Sequence, residues 1–389
     1  MNSVETKTLK PGHVFSAPVY TEGEYMLIPA NVPLRQKDID LLVSWGIDDV
    51  KTDGKIIETK EPDPPANEII LMDKKSSKRF SISHVQENSV PYRAYKTLIE
   101  KLDSVFNDIK AAANVEMRAV DNISLQLLQD LRDHPDSFVD FILGGEVLGQ
   151  ELAKSSVNTA ILSALTAQEL KLPNHKIHKI VAGALLHDVG MFRLSKGITE
   201  KKGGLSDAEL DQIKSHPLHT SKIVTKELFG PNEVNLIALQ HHERWDGHGY
   251  PDHLMGPAID IGARIVSVAD AFEAMVSKKS YRNSMVGYQA IKNLLADNAR
   301  RFDPTVTIAF TKIIGIYPIG SIVKLNDNSI ARVTKVHTHA PLRPVIQLLM
   351  DEKGDPIGSG KVITIDLLSE KTHFIKNAID PVEFSSSDE

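Results

Sequence analysis

Leu98, Leu102, Phe106 and Ile109 recur at steps of four, four and three, the spacing that lines one face of a helix, and from Tyr92 to about Lys312 this periodicity is nearly continuous. The chain before it is patterned differently. From Leu9 to about Val50, short extended runs are punctuated by Pro11-Gly12 and Glu22-Gly23, and Leu34 to Trp45 reads as a helix. After Pro318 the period falls to two: SIVKLNDNSIARVTKV alternates around Asn326-Asp327-Asn328, and VIQLLMDEKGDPI repeats the strand-turn pattern. KEPDPPANE, with Pro62, Pro64 and Pro65, reads as a linker or surface loop, and KKSSKR from Lys74 as a solvated turn. The expectation is a multidomain chain: a small α+β N-terminal module over 1–90, a helical connector over 91–150, an all-helical block over 151–316, and a small β-rich C-terminal module with an acidic tail over 317–389.

Composition narrows the function classes. A charged fraction of 25% and a hydrophobic fraction of 41% suit a soluble globular protein. No apolar run has the length of a membrane span, and MNSVETKTLK lacks the apolar core of a signal peptide, so the cytoplasm is the expected compartment. The net charge of −6 argues against DNA or RNA as a partner. Cysteine is absent, so a metal here must be held by His, Asp and Glu.

The helical block supplies such residues at the ends of apolar stripes. Ile180, Val181, Ala184 and Leu185 run into LLHDVG, which puts His187 and Asp188 at a helix C-terminus before Gly190. Ser206 and Glu209 form a capping box for a helix that stops at His216-Pro217. Val234, Leu236, Ile237 and Leu239 deliver His241 and His242, and IGARIVSVADAFEAM carries Asp270 amid apolar residues. A buried carboxylate needs a cation, a metal or several donors, and Arg264 or Lys278 would serve as an ordinary ion-pair partner for Asp270. Taken together, the six polar residues suit two divalent cations sharing Asp188, with imidazole and carboxylate favouring Fe, Mn or Zn.

HDVG, the His216-Pro217 pair, HHERWDGHGYP with Leu254 and Gly256 after it, and ARIVSVADAFEAM followed by SYR resemble, in the same order, the HD-GYP family of HD phosphohydrolases. The likeness extends over most of Glu151 to Phe310; YPIG and PLRPV resemble segments that accompany the domain in some members. The resemblance implies an all-α HD-type helical bundle core in a cytoplasmic bacterial signalling protein. It implies hydrolysis of cyclic di-GMP to pGpG, GMP or both by a hydroxide bridging two or three divalent ions, Fe or Mn first and Zn, Ni or Mg as alternatives. Its metal ligands carry over onto His187, Asp188, His216, His241, His242 and Asp270, with Glu151 joining them where a third ion is bound. An exposed helix carboxylate is an equally good reading of Glu151 from spacing alone.

Asp188 and Tyr250 are the implied catalytic residues, and Lys279, Arg282 and Tyr250 the implied substrate contacts. GGDEF-domain proteins are implied partners through the Gly249-Tyr250-Pro251 loop, and the stripe from Tyr92 to about Ile142 would serve either a homodimer or packing within its own domain. Two positions depart from the family: Ser155 stands where it has His, and Met191 where it has Lys. They motivate a second reading, a catalytically weak or inactive domain that binds cyclic di-GMP or a GGDEF partner and signals by conformation.

Overall fold

The structure, a computed structural model, describes residues 2–21, 26–28, 30–34, 36–44, 47–59, 89–113, 115–134, 137–144, 151–199, 201, 203–277, 287–298, 300–337, 339–357, 362–370 and 372–379. The proline-rich stretch at 62–65, the basic run from Lys74, Lys278, Lys279, Arg282 and the acidic tail lie outside them. Among the described residues no helix is long and apolar enough to cross a membrane.

The chain divides into two units, one of residues 1–82, 286–296 and 311–389, the other of residues 83–285 and 297–310. The first opens with β1 (Asn2–Glu5), β2 (His13–Phe15), β3 (Val19–Tyr20), β4 (Met26–Ile28), α1 (Gln36–Ser44), β5 (Asp49–Thr52) and β6 (Ile56–Thr59). These strands form a four-stranded sheet in the order β1-β5-β3-β4 and a β2-β6 pair. The helical unit follows with α2 (Val90–Lys110), α3 (Met117–Asp133), α4 (Phe138–Gly144), α5 (Glu151–Glu169), α6 (Asn174–Leu186), α7 (Lys196–Thr199), α8 (Asp207–Lys214), α9 (His216–Lys222), α10 (Asn232–Gln240) and α11 (Ile261–Val276). Then come α12 (Gly287–Ala296), α13 (Pro304–Ile314), β7 (Ile322–Leu325), β8 (Ile330–Lys335), β9 (Val345–Met350), β10 (Thr364–Asp366) and β11 (Ile375–Ile379). The C-terminal strands make one antiparallel sheet, β10-β9-β8-β7-β11, turning at the Asn326-Asp327-Asn328 segment as the period-two pattern predicts.

The helical unit is built around α5, α6 and α11, whose inner residues Val157, Ile161, Val181, Leu185, Ile265 and Phe272 are buried. Each such side chain contributes about 2 kcal/mol on leaving water. Two glycines let helices approach closely: a Cβ at Gly183 would sit 2.6 Å from the Ile237 side chain, and one at Gly262 2.7 Å from it. The stripe on α2 faces inward, with Tyr95, Leu98 and Leu102 buried and the Tyr95 hydroxyl donating to Asn158 Oδ1 on α5 at 2.7 Å. Packing within the unit therefore accounts for that stripe. The capping box forms at α8, where Ser206 Oγ accepts from Glu209 N–H at 3.4 Å and Glu209 Oε2 accepts from Ser206 N–H at 2.7 Å.

Candidate metal centre

Four helices converge with their polar residues at one place. His187 caps the C-terminus of α6 and Asp188 follows it; His216 is the first residue of α9; His241 caps α10 and His242 follows; Asp270 lies on the inner face of α11. A chain of contacts fixes α9 against the end of α6. Thr220 Oγ1 donates to the His187 carbonyl at 3.0 Å and accepts from Gly190 N–H at 3.0 Å. A Cβ on Gly190 would lie 2.2 Å from the His216 carbonyl oxygen. Gly190 has no positive φ, so a glycine is needed here to let two backbones touch and not to turn the chain.

The hydrogen-bond pattern orients the imidazoles. Nδ1 of His187, His216 and His241 each donates to the carbonyl three residues earlier, Ala184, Ile213 and Ala238, at 2.7, 2.7 and 2.8 Å. A carbonyl only accepts, so each Nδ1 carries a hydrogen and each ring aims Nε2 inward, where a neutral ring offers its lone pair. His216 Nε2 and His241 Nε2 then face one another at 3.3 Å, with Asp188 Oδ1 3.1 Å from the first and 3.7 Å from the second. On the other side Asp188 Oδ2 and Asp270 Oδ1 lie 3.5 and 3.6 Å from His187 Nε2, a fully buried atom with no hydrogen-bond partner among the described residues. Lone pairs and carboxylate oxygens aimed at one another repel unless positive charge sits among them. The donor set therefore fits divalent cations, and Asp188 offers one oxygen to each half. Among the described residues Asp188, His216, His241 and His242 form a group whose ligand atoms all lie within 4.8 Å of one another.

Charge preferences agree with this. Burial opposes charge on His187, but the carboxylates of Asp188 and Asp270 outweigh it and push the imidazole up to about 9. Burial also opposes charge on the two carboxylates. His187 and His216 nevertheless hold Asp188 well below the usual range, and His187 brings Asp270 down to about 2. Burial, reinforced by His241, keeps His242 well below the usual imidazole value, so it stays a neutral ligand candidate. Asp270 is not held by Arg264, which pairs with Asp303 at 2.7 Å.

The segment after His242 folds back over the cluster. Tyr250 N–H donates to the His242 carbonyl at 3.2 Å, and the Tyr250 ring stacks on the His242 ring at 4.8 Å and 29°. The Tyr250-Pro251 peptide is cis. Gly247 has φ +79 and bends as its sequence position suggests, whereas Gly249 serves close approach, since a Cβ there would be 2.3 Å from Arg244 N. Burial and the facing Asp188 and Asp270 raise the Tyr250 phenol above its ordinary value, so it keeps its proton.

The remaining predicted residues lie differently. Glu151 is exposed at the start of α5 and is not one of the four residues grouped within 4.8 Å, and Lys279 and Arg282 fall outside the described residues. Ser155 is buried and donates its hydroxyl to Glu273 Oε2 at 2.6 Å. Sequence reasoning missed Glu273, Thr220 and Glu243, because each acts through a partner far along the chain or through backbone groups that no motif displays.

A family model described as "HD domain" matches residues 147–306, and one described as "KOW domain associated with HD domain" matches 322–387. The cyclic di-GMP phosphodiesterase PdeB of Borreliella burgdorferi is 27% identical over 88% of this chain and 85% of its own. A cyclic di-GMP phosphodiesterase of Pseudomonas aeruginosa is 26% identical over 64% of this chain and 60% of its own. RpfG, a cyclic di-GMP phosphodiesterase response regulator of Xanthomonas campestris pv. campestris, is 38% identical over 37% of this chain and 38% of its own. Residues 147–306 thus match an HD domain, and the chain is similar to proteins named as cyclic di-GMP phosphodiesterases. The HD-domain match covers α5 to α11 and so includes the His/Asp cluster, and the C-terminal sheet falls in the KOW-type match.

Proposed function

We propose that this protein hydrolyses cyclic di-GMP to pGpG, GMP or both, using divalent cations held by His187, Asp188, His216, His241, His242 and Asp270. The observation that carries the reading is the pair of inward lone pairs on His216 and His241, with Asp188 beside both, an arrangement that costs stability unless a cation is taken up. The mixed imidazole and carboxylate set favours Fe or Mn, with Zn, Ni or Mg as alternatives. A pair of such ions, when bound, supplies an activated water and polarises the phosphodiester.

The chain's own groups do the rest. Asp188 spans both halves of the site through its two oxygens, and the carbonyl bonds on Nδ1 keep the imidazoles from turning away. Tyr250 retains its phenolic proton and has a hydroxyl to donate to a substrate oxygen. Lys279 and Arg282 would meet the phosphate charge, Arg by a bidentate contact. Commitment of Ser155 to Glu273 and the exposure of Glu151 support two cations in preference to three. We take the cytoplasm as the compartment, and the solvent-facing edge of the loop, with His248 and Met255, as the docking surface for GGDEF-domain proteins. The binding-only reading is not favoured, because Asp188, His216, His241 and His242 still gather within 4.8 Å of one another despite Ser155 and Met191, and the relatives are phosphodiesterases.

The test is metal content by mass spectrometry beside chromatographic detection of pGpG and GMP, on protein purified without oxygen. Metal together with product supports the reading. Tight nucleotide binding with no product over hours would replace it by the binding-only role, and protein indifferent to both metal and dinucleotide would remove both.

A further inference from the structure

Glu243 is a carboxylate only 2% exposed, one residue past His242, and no part of the proposed chemistry uses it. Its two oxygens are spent on backbone: Oε1 accepts from Asp252 N–H at 2.6 Å and Oε2 from Leu254 N–H at 3.0 Å. These donors flank the turn beyond Tyr250-Pro251. Its backbone is also covered, because Gly249 lies so close that a Cβ there would be 2.5 Å from Glu243 Cα. Residues 249–254 are thus laid across the end of α10 and clasped to it by one buried side chain. The Tyr250 ring of the same segment is stacked on His242. Charge-assisted bonds to backbone N–H groups are among the stronger ones available, and a buried carboxylate is costly unless so satisfied.

We propose that Glu243 is a positioning residue: its carboxylate holds the 249–254 segment so that Tyr250 lies flat on His242 and walls the metal cluster. Its action passes through Tyr250. The kinetic part of the test rests on the phosphodiesterase reading; the chemical part does not.

The chemical part is nitration by tetranitromethane, followed by peptide mass spectrometry on full-length wild type, Glu243→Gln and Glu243→Asp. Gln turns an amide N–H toward a backbone N–H, and Asp keeps the charge but falls short of both donors. Tyr250 should be nitrated at least about fivefold faster in both variants, as expected for a locally opened segment. Tyr288, stacked on Tyr317 at 5.4 Å in the other unit, is the internal control and should not change.

In the kinetic part, Glu243→Gln should raise KM for cyclic di-GMP about tenfold with kcat changed far less, and leave bound Mn²⁺ per chain unaltered. In a Tyr250→Ala background the same substitution should add less than about twofold, because the two act in series. Unchanged Tyr250 nitration in both variants overturns the proposal, as do effects of Glu243→Gln and Tyr250→Ala that multiply. If Glu243→Gln does not fold, Glu243→Asp alone decides. A wild type without hydrolysis but with protected Tyr250 would sink the functional reading and leave the clasp standing.

Discussion

Two buried polar clusters sit in the same helical unit and share α11, yet they are built on opposite terms. Around Glu273, 1% exposed, every group is answered within the protein: Ser155 and Ser277 donate hydroxyls to its oxygens at 2.6 and 2.5 Å, Asn158 donates its amide at 3.2 Å, and Tyr95 donates to Asn158 in turn. Around Asp188 and Asp270, one helical turn away, the imidazoles are tied down only at Nδ1, and the Nε2 atoms meet lone pairs and carboxylates. A satisfied network fastens helices; an unsatisfied one with fixed geometry is a binding site waiting for charge. The contrast also explains Ser155. A serine hydroxyl that already serves a carboxylate has become part of the fastening.

Breaking the open cluster at its shared residue should have the largest effect. Asp188→Asn is expected to lower kcat/KM for cyclic di-GMP by about 10³-fold or more and to reduce bound metal, with little change in the urea midpoint. The midpoint is the informative control, since a loss comparable to that of a core substitution would mean that Asp188 is structural. The closed cluster should answer the other way. Glu273→Ala strands buried donors and should cost about 3 kcal/mol in urea unfolding of the helical unit, while protein that remains folded still takes up Mn²⁺. Loss of metal with unchanged stability would exchange the two roles.

Acidity offers a subtler separation. In metal-stripped protein the His187 imidazole is raised from 6.5 to about 9, so its contribution to stability is fully present below pH 6.5 and is lost as pH rises through 9. Asp188 and Asp270 are shifted downward and remain ionised across that window. Unfolding in chelator should therefore become easier by about 3 kcal/mol between pH 6.5 and 9, and the fall should shrink once Mn²⁺ is bound. A flat profile in chelator would mean that His187 is not held by the two carboxylates. The smallest expected change is at Met191, whose N–H donates to the Asp188 carbonyl at 2.9 Å and whose thioether has no proton to give. Met191→Lys, which restores a group able to donate a proton there, should raise turnover by about fivefold, and no rise would mean that position 191 takes no part in the chemistry.

Much of the candidate site is legible in the sequence. His187, Asp188, His216, His241, His242 and Asp270 stand at the ends or inner faces of apolar helical stripes, and close packing of such stripes has few ways to avoid bringing their polar ends together. The period-two stretch after Pro318 and the capping box at Ser206 were likewise readable, because both are local patterns. Ser155 with Glu273 was not, since their hydrogen bond joins residues 118 apart. Nor was Glu243, whose partners are backbone amides rather than side chains. Gly190 and Gly249 could be marked as turn residues, but their use in letting backbones touch depends on which helix lies opposite.

Residue order by itself thus determined which side chains are available to a metal and on which kinds of element they ride, since periodicity and donor chemistry are properties of neighbours along the chain. Tertiary structure alone decided which buried polar groups find partners inside the protein and which stay unanswered. That distinction depends on ångström-scale distances between atoms of separate helices, and no local pattern encodes them.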